Sequence, residues 1–168
     1  MSSPVIVLHA SPAVQERSQR SLRRMLAAAE TVLGRDGWSG FTMNAVAAEA
    51  EVSIGGIYRR FASKEHLLRA VKDNVLNRAD ARQTELAHYK ATKAADALAY
   101  FVKGRLASIR EYAGVLHEVL AGQSNDAVMF ERGRQSIDLG VNVFRKIMAP
   151  VKGEIGRASC RERVFVGV

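Results

Sequence analysis

A chain of 168 residues, 48% of them apolar, can close one packed core or two small ones. Its 25 Lys and Arg against 17 Asp and Glu give a net charge of +8, which favours a polyanionic partner, nucleic acid or a membrane surface. The single cysteine, Cys160, excludes an internal disulfide framework and suits a reducing cytoplasm. No apolar run approaches the ~20 residues of a membrane span, and the short Pro4–Leu8 run, with no basic residue before it, does not read as a signal peptide.

Residues 1–16 scatter Ser, Pro and His through a brief apolar patch and read as a disordered arm; the sharper alternative is an arm that touches the minor groove or a neighbouring subunit. Arg17, Arg20, Arg23 and Arg24 follow. Two readings compete for them, a solvated helix face and a set of phosphate contacts. A first helix is expected from Arg17 to Arg35, with Leu22, Met25, Leu26, Ala29, Val32 and Leu33 as its buried stripe and Gly34 and Gly37 ending it. Trp38 reads as a brace in a short loop, and Phe41 as a plug packed back onto the helices.

The stretch from Thr42 to Lys64 is the most informative. Met43, Val46, Ala47 and Ala50 recur at i, i+3, i+4 and i+7, one apolar helix face. Thr42 stands before it as a cap, Ser53 caps the next helix, and Val52 fills the angle between the two. That second helix, expected over Ile54–Phe61, holds Gly55 and Gly56, then Tyr58, Arg59 and Arg60. Each glycine costs about 1 kcal/mol of helix stability against alanine, a cost that makes sense where a helix backbone approaches another body closely. A small-faced helix with an aromatic and two guanidinium groups suits the major groove of DNA.

Ser53, Gly55, Tyr58, Phe61, Lys64 and Leu67 stand in the S-x-G-x-x-Y-x-x-F-x-x-K-x-x-L frame of TetR-type transcriptional regulators, which this chain resembles over roughly residues 19 to 79, reaching back through Gly37, Phe41 and Thr42. The combined spacing is specific, though no single residue is. Two positions depart from the family pattern: Glu51 stands at the usual turn glycine, and Arg60 where His or Tyr is common. The resemblance implies an all-α protein: a helix-turn-helix DNA-binding domain over 17–79 with its motif at 42–61, then a helical ligand-binding and dimerisation domain over 80–152. Thr42, Tyr58, Arg59, Arg60 and Lys64 would position the protein on phosphates. Ser53, Ile54, Gly55 and Ile57 would lie near base edges, with Ile57 against a thymine methyl, and Gly56 would belong to the same DNA-binding set.

The next helix starts after Ser63, where Lys64 opposes the helix dipole unless an anion joins it. Leu67, Leu68, Val71 and Val75 carry its apolar face. Residues 77–95 are polar and alanine-rich and read as the helix end and a loop. Helices are expected over Asp96–Tyr112, with Leu98, Phe101, Val102 and Ile109 inside, over a shorter span holding Val115, Leu116, Val119 and Leu120, and over Asp126–Met148, with Ile137, Val141, Phe144 and Met148 on one face; Pro150 stops the last. By the resemblance these helices hold a small apolar ligand. The candidate lining is Tyr100, Phe101, Tyr112, Leu116, Met129 and Phe130, side chains that suit a plain core equally well. Residues 153–168 hold no apolar stripe of helical length and read as an atypical, foreign tail, so that dimerisation depends on what the C-terminus permits and an exposed apolar patch is expected on the remaining helices.

No phosphate loop and no zinc spacing of Cys and His occurs, and His9, His66, His88 and His117 are far apart. No catalytic set, metal or cofactor is expected. The sequence thus favours a cytoplasmic, ligand-responsive repressor that binds a palindromic site in double-stranded DNA as a homodimer. The alternative is a helical metabolite-binding or protein-interaction module without specific DNA binding.

Overall fold

The computed structural model describes residues 12–121 and 126–153, with backbone alone over 114–121. Every element among them is helical: α1 (Pro12–Gly40), α2 (Met43–Glu49), α3 (Ile54–Tyr58), α4 (Lys64–Leu86), α5 (Ala94–Ala121), α6 (Ala127–Met148) and a 3₁₀ turn (Ala149–Val151). The chain divides into two compact units, one ending at Leu68 and one beginning at Arg69.

In the first unit α1 buries Met25, Leu26, Ala28, Ala29, Val32 and Leu33, and Leu22 is half-buried. Two expectations about α1 are corrected. The helix begins at Pro12, so the last five residues of the supposed arm are helical, and Gly34 lies inside it. Gly37 makes the break, with φ 62° and ψ −170°, a left-handed backbone that glycine adopts at no steric cost. Gly40 follows under a different constraint: a Cβ there would lie 2.4 Å from that of Asp36. The kink turns Phe41 inward, where it is fully buried with Val46, Ile57, Leu67 and Phe61.

The second unit has a small apolar core of Ala91, Ala97, Val143, Ile147 and Val151, walled by Leu86, Tyr89, Tyr100, Phe101 and Leu139. Three expectations fail here. There is no break after Tyr112, because α5 runs unbroken to Ala121. On α6 the buried face is Ser136, Gly140, Val143 and Ile147, one position round from the expected one. Ile137 and Val141 are therefore exposed, as are Leu98, Val102 and Ile109 of α5, which matches the expected exposed apolar surface. The reason for the shift is polar: Ser136 and Gly140 face the α4 side chains Asp80 and Gln83. Residues 154–168, the atypical tail, lie outside the described residues.

Between α2 and α3, Glu51 has φ 52°, where a side chain costs about 1–2 kcal/mol and glycine costs nothing. Glu51→Gly is expected to raise stability by about 0.5–1 kcal/mol, net of the entropy glycine adds to the unfolded chain. Urea unfolding of the two proteins at one pH checks it.

Candidate nucleic-acid interface

The α2–turn–α3 corner is built by capping. Thr42, in extended backbone, accepts from the Ala45 amide at 3.1 Å. After Glu51 the Val52 amide donates back to the Ala47 carbonyl at 3.0 Å. Ser53 Oγ accepts the Gly56 amide at 3.1 Å. The caps fix where α3 starts, and hence which residues face out. Ile54, Gly55, Tyr58 and Arg59 are exposed, at i, i+1, i+4 and i+5, one face of a helix. A Cβ on Gly55 would meet nothing within 4 Å, so the fold itself does not require glycine there.

Two expected DNA-binding residues, one of them a base reader, are corrected. Ile57 is 0% exposed and Gly56 is buried. Ile57 belongs to the inner face that holds α3 on the core, and the outward isoleucine is Ile54, 40% exposed. α3 also ends at Tyr58, three residues before the expected Phe61.

The two cations that follow have partners inside the protein. The Arg60 guanidinium donates from Nη2 to both the carbonyl oxygen of Ser18, at 2.8 Å, and its hydroxyl, at 2.6 Å. Lys64 Nζ donates to the Trp38 carbonyl at 2.7 Å and lies 3.6 Å from the Trp38 ring centroid. The sequence posed Lys64 as a charge in conflict with its own helix dipole. The structure relieves the conflict with a carbonyl and an indole face, the latter worth about 0.5–2 kcal/mol depending on exposure. Trp38 in turn stacks near Phe41, centroids 6.0 Å apart. The brace role of Trp38 was legible; that Lys64 is what it braces was not, because nothing in the sequence brings positions 38 and 64 together. Thr42 and Ser53 both remain exposed beside their caps.

In the second unit the five candidate ligand side chains among the described residues do not converge. Tyr100 stacks on Tyr89 at 3.9 Å, and Phe101 packs on Phe144 at 5.0 Å. Met129, half-buried, and Phe130, 76% exposed, sit near the other end of α6. Phe144 and Met129 are fifteen positions apart, about 22 Å along a helix. Tyr112 is buried under the Arg78 guanidinium, 5.1 Å from the ring centroid, and burial pushes its hydroxyl pKa up. The Leu116 side chain lies outside the described residues. Sequence reasoning missed a polar seam between α4 and α6. Arg132 meets Asp73 at 3.3 Å, Asn77 at 2.8 Å and Asp80 at 2.8 Å, and Ser136 donates to Asp80. The signal was present as Asp73, Asn77 and Asp80 at i, i+4 and i+7. Among the described residues no group of three His, Cys, Asp or Glu could hold a metal, and no helix is long and apolar enough to cross a membrane.

Residues 25–71 match the family model of bacterial regulatory proteins, tetR family. That segment is tetR-like. Its similarity to the HTH-type transcriptional repressor KstR of Mycobacterium tuberculosis is 34% identity over 88 residues, 52% of this chain and 40% of that protein. For KstR of Mycolicibacterium smegmatis it is 35% over 78 residues, 46% of this chain and 38% of that one. The chain thus spans about two fifths of the curated relatives it matches. Among solved structures, the transcriptional regulator FadR from Bacillus subtilis, crystallised with stearoyl-CoA, shares the fold with TM-score 0.60 at 19% identity, over 76% of this chain and 69% of that one. A TetR family protein from Vibrio parahaemolyticus gives TM-score 0.52 at 25% identity, over 80% and 71%. The tetR-type all-α architecture therefore reaches well beyond the matched N-terminal segment.

Trp38 is the chain's one tryptophan, so tryptophan emission reports the surroundings of Trp38 alone, the Lys64 contact among them. Lys64→Met is expected to change that emission and to lower the melting temperature modestly. Ile57→Ala should cost about 2–5 kcal/mol, measured by urea unfolding, because it empties a fully buried site.

Proposed function

We propose that this protein is a ligand-responsive transcriptional repressor that reads a roughly palindromic site in double-stranded DNA as a homodimer. The observation that carries the reading is the outward face of α3: Ile54, Gly55, Tyr58 and Arg59 exposed together on a helix whose opposite face is locked to the core. Gly55 lets the backbone approach base edges. Ile54 offers an apolar contact to a thymine methyl. Tyr58 and Arg59 reach phosphates, with the Thr42 hydroxyl and the remaining N–H bonds of Lys64 beside them. Ser53 keeps a place at the edge of the groove as the cap that aims the helix.

The term repressor follows the two KstR relatives, both HTH-type transcriptional repressors. The ligand reading follows FadR, whose crystal holds stearoyl-CoA; a small apolar ligand in the second unit is the corresponding expectation here. α4 is continuous from Lys64 to Leu86. A ligand that binds one position of this helix better than another would shift the population of DNA-competent dimers. Two copies would set their α3 helices about 34–36 Å apart. The function is not enzymatic, and the protein works in the cytoplasm.

Selection from a random duplex pool at physiological salt tests the reading. An enriched inverted repeat is expected. Enrichment of nothing would leave a helical binding module in its place. With a selected duplex in hand, Ile54→Ala should change which base is preferred at one position of each half-site, by about 1–3 kcal/mol of discrimination. Arg59→Gln should weaken binding to all sequences alike and lower the salt slope by about 0.9 per protomer. An unchanged slope would remove Arg59 from the phosphate set.

A further inference from the structure

The first turns of α1 are not used by the core. Residues 12–20 are exposed without exception, and Arg23 and Arg24 continue the exposed surface. Residues 12–20 form about 13 Å of helix that projects past the first half-buried side chains, Ser21 and Leu22. Arg17, Arg20 and Arg24 recur at i, i+3 and i+7, within about 60° of one another round the helix axis. Over residues 12–24 four arginines stand against one carboxylate, Glu16, which pairs with Arg20 at 2.7 Å. Isolated helix ends fray, but this one is held. The doubly bonded Arg60 guanidinium clips Ser18 to the turn that follows α3, two residues beyond the end of that helix.

We propose that the α1 extension is a second DNA-contacting element, whose Arg17 and Arg24, with Arg20 between them, engage backbone phosphates flanking the half-site under α3, and that Arg60 is the strut that holds the extension in place. The proposal rests on the DNA reading above. From residue 17 to residue 24 the stripe is about 10 Å long, the axial reach of about three successive phosphates of one strand. Guanidinium forks match phosphate oxygens bidentately. A lipid surface fits less well. A helix that lies on a membrane carries a bulky apolar face beside its basic one, and this extension has only Pro12, Ala13 and Val14. The assignment also changes the meaning of Arg60. With Nη2 already bonded twice within the protein, it acts through α1 and is a positioning residue.

The test is a salt titration of the full chain on the selected duplex, or on a mixed-sequence duplex if none is selected, between about 50 and 200 mM salt. Arg17→Gln with Arg24→Gln should lower the slope of log K against log salt by about 1.8 per protomer, so that the fourfold salt step costs the variant about twelvefold less affinity per bound protomer than it costs the parent, or about 150-fold less for a dimer. The hydroxyl-radical footprint should shorten outside the half-sites, with the melting temperature unchanged. Arg60→Met should lower the slope in the parent and have no further effect in the double variant, the non-additivity expected of residues acting as one unit. An additive Arg60 effect would make it a phosphate ligand and overturn the strut. A double variant with the parent's slope, while Arg59→Gln still lowers it, would overturn the extension's role and leave the DNA reading intact. A parent that binds no duplex at any salt would overturn both. Loss of binding to anionic vesicles with duplex binding unchanged would move the stripe to a lipid partner.

Discussion

A helix of five residues does not hold itself. α3 is far shorter than the dozen or so residues an isolated helix needs in water, and it exists because its two faces are assigned by something other than its own hydrogen bonds. Ser53 fixes the first turn, and Ile57, fully buried, fixes the rotation. Once those two are set, the direction of Ile54, Gly55, Tyr58 and Arg59 is settled by helical geometry alone. The kink at Gly37, the inward turn of Phe41 and the capped entry at Thr42 all serve to bring a core surface under that one isoleucine. The proposed recognition surface is thus a by-product of packing on the other side of a short rod.

The cost of this arrangement is taken at Glu51. A tight corner between α2 and α3 requires left-handed backbone, and the chain meets it with a residue that has a Cβ. Neighbouring bonds on both sides hold it there: the Val52 amide reaches back to Ala47, and Ala50 reaches back to Val46. Strain of this size persists only where the surroundings over-determine it.

Much of the first unit was legible because its signals are local. Thr42 and Ser53 as caps, the buried α1 stripe and the apolar face of α2 are each set by residues a turn or so apart in sequence, so periodicity and capping chemistry find them. Ile57 was misplaced because a five-residue helix offers too few apolar positions to define a face; Ile54 and Ile57 are equivalent by type, and only the core beneath distinguishes them. The internal partners of Arg60 and Lys64 were invisible for another reason: they close loops of 42 and 26 residues. In the second unit apolarity alone marks an α6 face one position away from the buried one. There Ser136 and Gly140 are inside and Ile137 and Val141 outside, because the groups they meet on α4 are carboxylates and amides. The supposed ligand aromatics are parted by helix rise: Phe101 of α5 packs on Phe144 near the end of α6, and Phe130 lies in the first turn of α6.

The polar seam between α4 and α6 has a mechanical consequence. An apolar helix pair can slide by fractions of a turn, trading one set of methyl contacts for another at little cost. Arg132, mostly buried and shared among Asp73, Asn77 and Asp80, allows no such drift. Displacing it without a replacement partner strands a buried charge, at about 3–5 kcal/mol. The acceptors recur along α4 at one-turn intervals, so the next acceptable register lies a full turn away, about 5.4 Å. The two helices are indexed like teeth on a rack: they stay in step, or they jump.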